Sequence, residues 1–248
     1  MLAQEFITEL DSRFVNREIQ KGEEWKPVGK NKYPVQGATA SVWGHYSDPN
    51  TVVKVVGGGE YDVDPVSRNV TLAFVHFCVD YGYKSKHFPI IHGINVDDDE
   101  VLQIRIEKLI ECSNDRLLSA LSRLANCVRY NNRKDLPRYK NELATALKTN
   151  ARIAKNNTLG GILEAIQLLH KAAPIYAKAH GLKEIWLDLH PGNWLLRPDG
   201  VIVAADPWFS EATEEYSYGS DASYYSDSDR SEGSGQGGDG WGIPRASK

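Results

Sequence analysis

One segment predicts the central piece of the architecture, Ile185-Trp-Leu-Asp-Leu-His-Pro-Gly-Asn-Trp-Leu-Leu-Arg-Pro-Asp-Gly-Val-Ile-Val-Ala-Ala-Asp206. The apolar runs 194–196 and 201–205 are typical of strands, and Arg197-Pro-Asp-Gly200 between them has the residues of a tight turn. We therefore expect an antiparallel hairpin. Such a hairpin brings Asn193, just before its first strand, beside Asp206, just after its second strand.

The polar side chains at this end of the hairpin favour phosphoryl transfer. Asn193 and Asp206 offer oxygen atoms, which Mg²⁺ prefers as ligands together with substrate phosphates. Asp188 precedes Asn193 across the Pro191-Gly192 bend, so it can face the same pocket and accept a proton from an attacking hydroxyl. A surface hairpin with incidental carboxylates is the alternative interpretation.

A lysine lies within a second predicted strand, Thr51-Val-Val-Lys-Val-Val56. The alternation of a strand puts Val52, Lys54 and Val56 on one face. A lysine among valines suits a core only if an anion such as phosphate meets it. The alternative is a lysine on an edge strand that points into water.

These motifs resemble those of protein kinases and their small-molecule relatives. Asp188-Leu-His-Pro-Gly-Asn193 resembles the catalytic loop, and Asp206-Pro-Trp208 resembles the Asp-Phe-Gly metal motif. The spacing between the asparagine and the second aspartate also matches. The resemblance implies that Asp188 orients and deprotonates the acceptor hydroxyl, and that Asn193 and Asp206 hold Mg²⁺.

The resemblance also implies an ATP site. Lys54 would bind the α- and β-phosphates, and His190, where aminoglycoside and choline kinases have histidine, would approach the γ-phosphate. The segment 35–43 lies where kinases have a glycine-rich loop and keeps only its central glycine and closing valine. The implied cofactor-binding residues are Gly37, Val42, Val52, Lys54 and Leu195, with Glu107 and Leu109 at the hinge that meets adenine.

Three features depart from the kinase pattern, and the first is His190, where protein kinases have a lysine. Asp64-Pro65 predicts the start of a helix that continues from Val66 to Val79 and has no glutamate in its middle. The acidic partner of Lys54 is therefore left open between Glu60, Asp64 and none. The catalytic loop is preceded by Trp-Leu where many kinases have His-Arg, so an activating phosphate has no obvious receiver and we expect constitutive activity.

The expected fold class is α+β, a two-lobed protein-kinase-like fold with a small β-rich lobe and a reduced helical large lobe. The catalytic domain is predicted at 1–209, with the small lobe at about 1–106 and the large lobe at about 107–209. An amphipathic helix is expected at 2–21, and further helices at 114–131, 138–156 and 160–180, with Pro137 and Gly160-Gly161 as breaks. Residues 210–248 are rich in Ser, Tyr, Gly and acidic residues and are predicted to be a disordered tail.

Composition favours a cytoplasmic protein. The formal net charge of the 248 residues is -4, and Cys78, Cys112 and Cys127 show no paired spacing, which argues against disulfides or a cysteine metal site. The first residues do not form a signal or transit peptide, and no apolar run reaches the length of a membrane span. We therefore expect a protein of the cytoplasm.

Two segments suggest partners. The stretch between Arg123 and Lys155 contains nine Lys or Arg residues against two acidic residues, which favours either a solvated helix face or a dock for an acidic partner. No interleaved aromatic residues support nucleic-acid binding, and no membrane partner is expected. The hydroxyls of the tail would be tethered near the catalytic site, so the tail is an expected substrate of its own enzyme.

Over most of residues 30–210 the chain looks most similar to the early serine/threonine protein kinases of short-tailed lytic bacteriophages. The resemblance implies an ATP- and Mg²⁺-dependent kinase that phosphorylates host proteins and itself, and the expected place is the host bacterial cytoplasm if the protein is encoded by a phage. A small-molecule kinase of the aminoglycoside or choline type is the second hypothesis, supported by His190 and the helical insert. A pseudokinase that binds nucleotide or a host protein is the third, supported by the missing helix glutamate.

Overall fold

A computed structural model describes residues 25–27, 35–36, 40–45, 48–56, 65–96 and 101–210. All of them fall in the first of the two units into which the chain divides, and the second unit, Glu214–Lys248, lies outside the described residues. Also outside them are the predicted helix 2–21, Gly37 of the predicted phosphate loop, and Glu60 and Asp64. The predicted tail lies outside them except for Ser210.

The described part is mixed α and β, and its largest sheet is antiparallel. The strand order is β1-β3-β4-β6-β5, and β2 pairs with β3. Because β4 pairs with a strand on each side, Lys54 lies in a central strand, and the edge-strand interpretation was wrong. The strands are β1 (Trp25–Pro27), β2 (Val35–Gln36), β3 (Ala40–His45), β4 (Thr51–Val56), β5 (Ile91–Val96) and β6 (Leu102–Glu107).

The predicted helix after the lysine strand is α1 (Pro65–Tyr81), and it packs on the Lys54 face of the sheet. Leu72 and Val75 of α1 lie in one apolar cluster with Val56, Leu102 and Ile104 of the sheet. The alternation of β4 puts Val56 on the same face as Lys54. The middle of α1 contains no carboxylate, so this helix supplies no acidic partner for Lys54.

The remaining helices are α2 (Asp115–Arg129), α3 (Leu136–Lys148), α4 (Ala151–Asn156) and α5 (Leu159–Ala179). The prediction of a single helix over 138–156 was wrong, because one helix ends at Lys148 and the next begins at Ala151. The chain breaks at 149–150 because the Asn150 side chain accepts hydrogen bonds from the backbone amides of Arg152 and Ile153 and so begins α4. None of the helices in the described part of the chain is both long and apolar enough to cross a membrane.

The two glycines predicted to interrupt the chain lie inside α5. Thr158 caps this helix by accepting a hydrogen bond from the amide of Gly161 at 3.1 Å, so the helix begins one residue before the glycine pair. Pro137, the other predicted break, occupies the first turn of α3, where its missing amide hydrogen has no helical partner to lose.

Two small sheets follow the helices and position the candidate site. The first has the order β10-β9-β7, and the second pairs β11 with β8. Both pack against the larger apolar core, in which α5 contributes Ile162, Ile166 and Leu169. The strands are β7 (Ile110–Glu111), β8 (Trp186–Leu187), β9 (Trp194–Leu196), β10 (Ile202–Ala204) and β11 (Trp208–Phe209).

A matched pair of substitutions tests how α5 begins. A Cβ atom at Gly160 would meet nothing within 4 Å, so Gly160→Ala should raise the free energy of unfolding by about 0.5–1 kcal/mol through helix propensity. A Cβ atom at Gly161 would lie 3.1 Å from Thr158 Oγ1 and 3.3 Å from His87 Nε2. Gly161→Ala should therefore lose that gain or destabilise the protein.

The His87 ring cannot yield easily to the new methyl group. It is buried, and its Nδ1 donates to the carbonyl of Ile202 at 2.7 Å. Urea denaturation of both variants measures the difference. Equal stabilisation by the two substitutions would show that the helix start is looser than this geometry requires.

Candidate functional site

The predicted hairpin is present as β9 and β10. Leu196 pairs with Ile202 and Trp194 with Ala204, and the turn closes where the amide of Arg197 donates to the carbonyl of Val201 at 2.9 Å. The same register continues past β9, where Asn193 stands opposite position 205 and not opposite 206. Asp206 is the next residue after the position that stands opposite Asn193.

A closed ring of three hydrogen bonds holds this end of the hairpin. The Asn193 side-chain amide donates to the carbonyl of Asp188 at 2.6 Å, and the amide of Asp188 donates to the carbonyl of Pro207 at 2.7 Å. The amide of Ala205 donates to the carbonyl of Asn193 at 2.9 Å. Since Asp206 lies between Ala205 and Pro207, the ring brings Asp188, Asn193 and Asp206 together.

Lys54 reaches this ring from the large sheet. Its Nζ lies 2.8 Å from Oδ2 of Asp206, and the two side chains are 15% and 43% exposed. Within the described residues, Asp206 is therefore the acidic partner that the sequence left open. The pair joins the central strand β4 to the end of the hairpin and keeps one face of Asp206 open to solvent.

His190 lies beside Asp188 at the surface. Its Nδ1 accepts a hydrogen bond from the amide of Gly192 at 3.0 Å, so the proton of the neutral ring is on Nε2. This Nε2 lies 3.9 Å from Oδ2 of Asp188, beyond hydrogen-bonding distance. A Cβ atom on Gly192 would lie 2.9 Å from Cε1 of His190, so the glycine makes room for the imidazole.

The residues implied for adenine fall on three strands, β3, β4 and β9, and on the 107–109 segment. Val42 stands opposite Lys54 in the sheet, and Val52 is buried two positions before that lysine. Leu195 lies in β9, which pairs with β7 just after the 107–109 segment. Leu195 therefore lies close to the 107–109 segment because β9 pairs with β7, which directly follows that segment. Val42 and Val52 lie close to Lys54 because they belong to the same two paired strands.

The backbone of the 107–109 segment is held at its start. The amide of Glu107 donates to the carbonyl of Ile90 at 3.1 Å, and the amide of Lys108 donates to the carbonyl of Asn50 at 2.6 Å. The amide of Leu109 has no hydrogen-bond partner among the described residues. Leu109 therefore offers a backbone donor, whereas the amide of Glu107 is already used.

Two arginines near the site were not found from the sequence. Arg129 of α2 donates through Nη1 to the carbonyl of Leu187 at 2.9 Å, directly before Asp188. Arg197 of the β9–β10 turn binds both carboxylate oxygens of Glu107. The sequence analysis counted Arg129 among the basic helix residues and Arg197 among the turn residues, and neither pattern signals a contact so distant in sequence.

The donor set at the ring fits Mg²⁺. Because the Asn193 side-chain nitrogen donates to Asp188, its oxygen faces away from that carbonyl and is left for a cation. Mg²⁺ is commonly held by one or two protein oxygens together with substrate phosphates and waters, so Asn193 and Asp206 suffice as protein ligands. In the described part of the chain no group of three or more His, Cys, Asp or Glu side chains forms a metal site.

A cavity of about 860 Å³ lies elsewhere, between α2 and α3. Arg116, Arg123 and Arg138 line it, and Glu142 binds the last two at 3.1 Å each. The cavity contains none of the residues of the ring. It overlaps the basic surface predicted between 123 and 155, and Glu142 offsets part of its charge.

Comparison with family models, with curated proteins and with solved structures found no match.

Removal of one side chain tests the three-bond ring. Asn193→Ala deletes the donor to the Asp188 carbonyl, so we expect a loss of about 1–2 kcal/mol in the free energy of unfolding. Asn126→Ala on the exposed face of α2 is the control and should change stability by less than about 0.5 kcal/mol. Chemical denaturation gives both values, and equal stabilities would mean that the ring does not hold the hairpin.

Proposed function

We propose that this chain is a serine/threonine protein kinase that transfers the γ-phosphoryl group of Mg·ATP to protein hydroxyls, with a two-lobed kinase-like fold. The observation that carries the proposal is the meeting of Lys54, Asp188, Asn193 and Asp206, from three separate segments, at one end of a hairpin. Phosphoryl transfer needs a cation for the phosphates, oxygen ligands for Mg²⁺ and a carboxylate for the acceptor hydroxyl. The four side chains supply all of these.

Binding of Mg·ATP would exchange the Lys54–Asp206 ion pair for two new contacts. Lys54 would turn to the α- and β-phosphates, and Asp206 with Asn193 would bind Mg²⁺, a stronger charge than the ammonium group it replaces. Asp206 is 43% exposed, so the cation can reach it without unfolding the site. Before nucleotide binds, the ion pair thus keeps the side chains of Lys54 and Asp206 in place and leaves both accessible to the phosphates and Mg²⁺.

Asp188 would accept the proton of the attacking hydroxyl. Its side chain is 44% exposed beside the ring, so a substrate hydroxyl has access to it. The ring holds the backbone of Asp188 and Arg129 holds the carbonyl before it, which restricts where the carboxylate can lie when a hydroxyl attacks in line. His190 carries its proton on Nε2 and would donate it as a hydrogen bond to the γ-phosphate as negative charge develops there.

The resemblance to phage kinases supports host proteins as substrates, action in the bacterial cytoplasm, and phosphorylation of the 210–248 segment. An acidic partner on the basic surface of 123–155 is part of the same proposal. The small-molecule kinase hypothesis is favoured by His190, and the pseudokinase hypothesis by the absence of a carboxylate in the middle of α1.

Intact mass after incubation with Mg·ATP separates the three hypotheses. Additions of one phosphate at a time support the protein kinase. Transfer that requires an added aminoglycoside or amino alcohol supports the small-molecule kinase. Nucleotide binding without transfer to either acceptor supports the pseudokinase.

The first functional prediction concerns the base. Asp188→Asn keeps the size of the side chain and removes its proton affinity, so phosphorylation should fall on the order of 10²- to 10⁴-fold with nucleotide affinity unchanged. Asp199→Asn in the hairpin turn, which keeps the oxygen that accepts from the amide of Val201, is the control and should remain active. Near-normal phosphorylation by Asp188→Asn would remove Asp188 from this role.

The second functional prediction concerns the metal. Asp206→Asn replaces a charged ligand by a neutral one, so affinity for Mg·ATP should fall roughly tenfold or more. Affinity for ATP in EDTA should stay the same or rise, because Lys54 loses a competing carboxylate. Calorimetry with and without Mg²⁺ measures both, and an equal effect of Mg²⁺ on the two proteins would contradict metal binding by Asp206.

A further inference from the structure

A nearly buried ion pair joins the hairpin turn to the 107–109 segment. Arg197 Nε lies 2.6 Å from Glu107 Oε2, and Arg197 Nη2 lies 2.7 Å from Glu107 Oε1. The two side chains are 14% and 12% exposed. This two-point geometry fixes both the distance and the orientation of the partners.

The neighbouring backbone completes the hydrogen bonding of the pair. Arg197 also donates to the carbonyls of Lys86 and Phe88, and Glu107 Oε1 also accepts from the amide of Ile90 at 2.9 Å. Three segments therefore meet at one guanidinium group: the hairpin turn, the end of β6 and the loop before β5. Each donor nitrogen of Arg197 has a partner.

Stability alone explains such a pair poorly. Removing two charges from water costs about as much as their attraction returns, so an apolar pair of similar volume would serve equally well. A planar, fully bonded guanidinium group contributes a fixed geometry that an apolar contact lacks. The position of the pair in the fold shows which two segments this geometry holds together.

The pair lies at the far end of β9 from the catalytic ring. Arg197 directly follows this three-residue strand and Asn193 directly precedes it, so the two are only about 13 Å apart along an extended backbone. Glu107 ends β6 and comes two residues before Leu109, whose amide has no hydrogen-bond partner among the described residues. A shift of Arg197 against Glu107 would thus move the hairpin relative to the 107–109 segment.

We propose that Arg197 and Glu107 are positioning residues that hold the adenine-binding segment 107–109 in register with the hairpin carrying Asn193 and Asp206. The inference rests on the proposed function, because it assumes that adenine meets Leu109 while the phosphates meet the ring. The ion pair, together with the pairing of β7 with β9, then sets the distance between the two ends of the nucleotide. Neither residue touches the phosphates.

Two ligands separate positioning from general stability. Mg·ATP uses both the 107–109 segment and the ring, whereas Mg·tripolyphosphate has no adenine and uses the ring alone. Glu107→Gln keeps the oxygen that accepts from Ile90 and weakens the bond to Arg197, so it should fold. We expect its affinity for Mg·ATP to fall roughly tenfold and its affinity for Mg·tripolyphosphate to stay unchanged.

Further variants complete the experiment. Arg197→Lys keeps the charge and loses the two-point contact, so it should show the same selective loss, with KM for ATP rising more than kcat falls. Glu142→Gln, which alters two exposed ion pairs away from the ring, is the control and should change neither affinity. Circular dichroism below the melting temperature confirms that each variant is folded.

The outcomes are distinct. Loss confined to Mg·ATP supports the inference. Equal loss of both ligands, or no loss of either, overturns it while leaving the proposed function in place. If the unaltered protein binds neither ligand, the proposed function fails and the inference falls with it.

Discussion

The hydrogen bond from the Asn193 side chain to the Asp188 carbonyl is the contact on which the candidate site depends. Asn193 also accepts from the amide of Ala205, so one residue ties the loop before the hairpin to the strand that returns from it. Asp188 and Asp206 are carried by the two chain segments thus joined. The bond from the Asp188 amide to the Pro207 carbonyl and the pairing of β8 with β11 join the same two segments, so the Asn193 contact closes a junction that the backbone begins.

The second constraint is the charge of Lys54. A lysine in a central strand with a 15% exposed side chain needs an acidic partner, and α1, which packs on the same face, has none in its middle. Asp206 supplies that partner from the hairpin. The same contact that satisfies Lys54 therefore also links the large sheet to the ring, and in the proposed function a phosphate with Mg²⁺ replaces it without leaving either charge bare.

The sequence predicted what local patterns determine. The hairpin, the strand around Lys54 and helix α1 follow from turn residues, β-branched runs and helical spacing. The break at Asn150 was missed because a capping asparagine inside a helical pattern looks like any other polar residue until its bonds are seen. The Arg197–Glu107 pair was missed because its two residues are 90 positions apart and each fits an ordinary local role.

Asp206 is placed by the hydrophobic core as well as by the ring. Trp208, two residues later, is 5% exposed and packs against Phe74 and Phe77 of α1 and Tyr176 of α5, with ring centroids 5.2–5.8 Å apart. Its indole N–H has no acceptor among the described residues, a cost of about 1–3 kcal/mol that a satisfied tryptophan avoids. Shape, and not hydrogen bonding, thus fixes this side chain. Because Pro207 alone separates the two residues, packing on α1 and α5 restricts where the carboxylate of Asp206 can lie, and the proposed metal ligand is held by apolar contacts that never touch the metal.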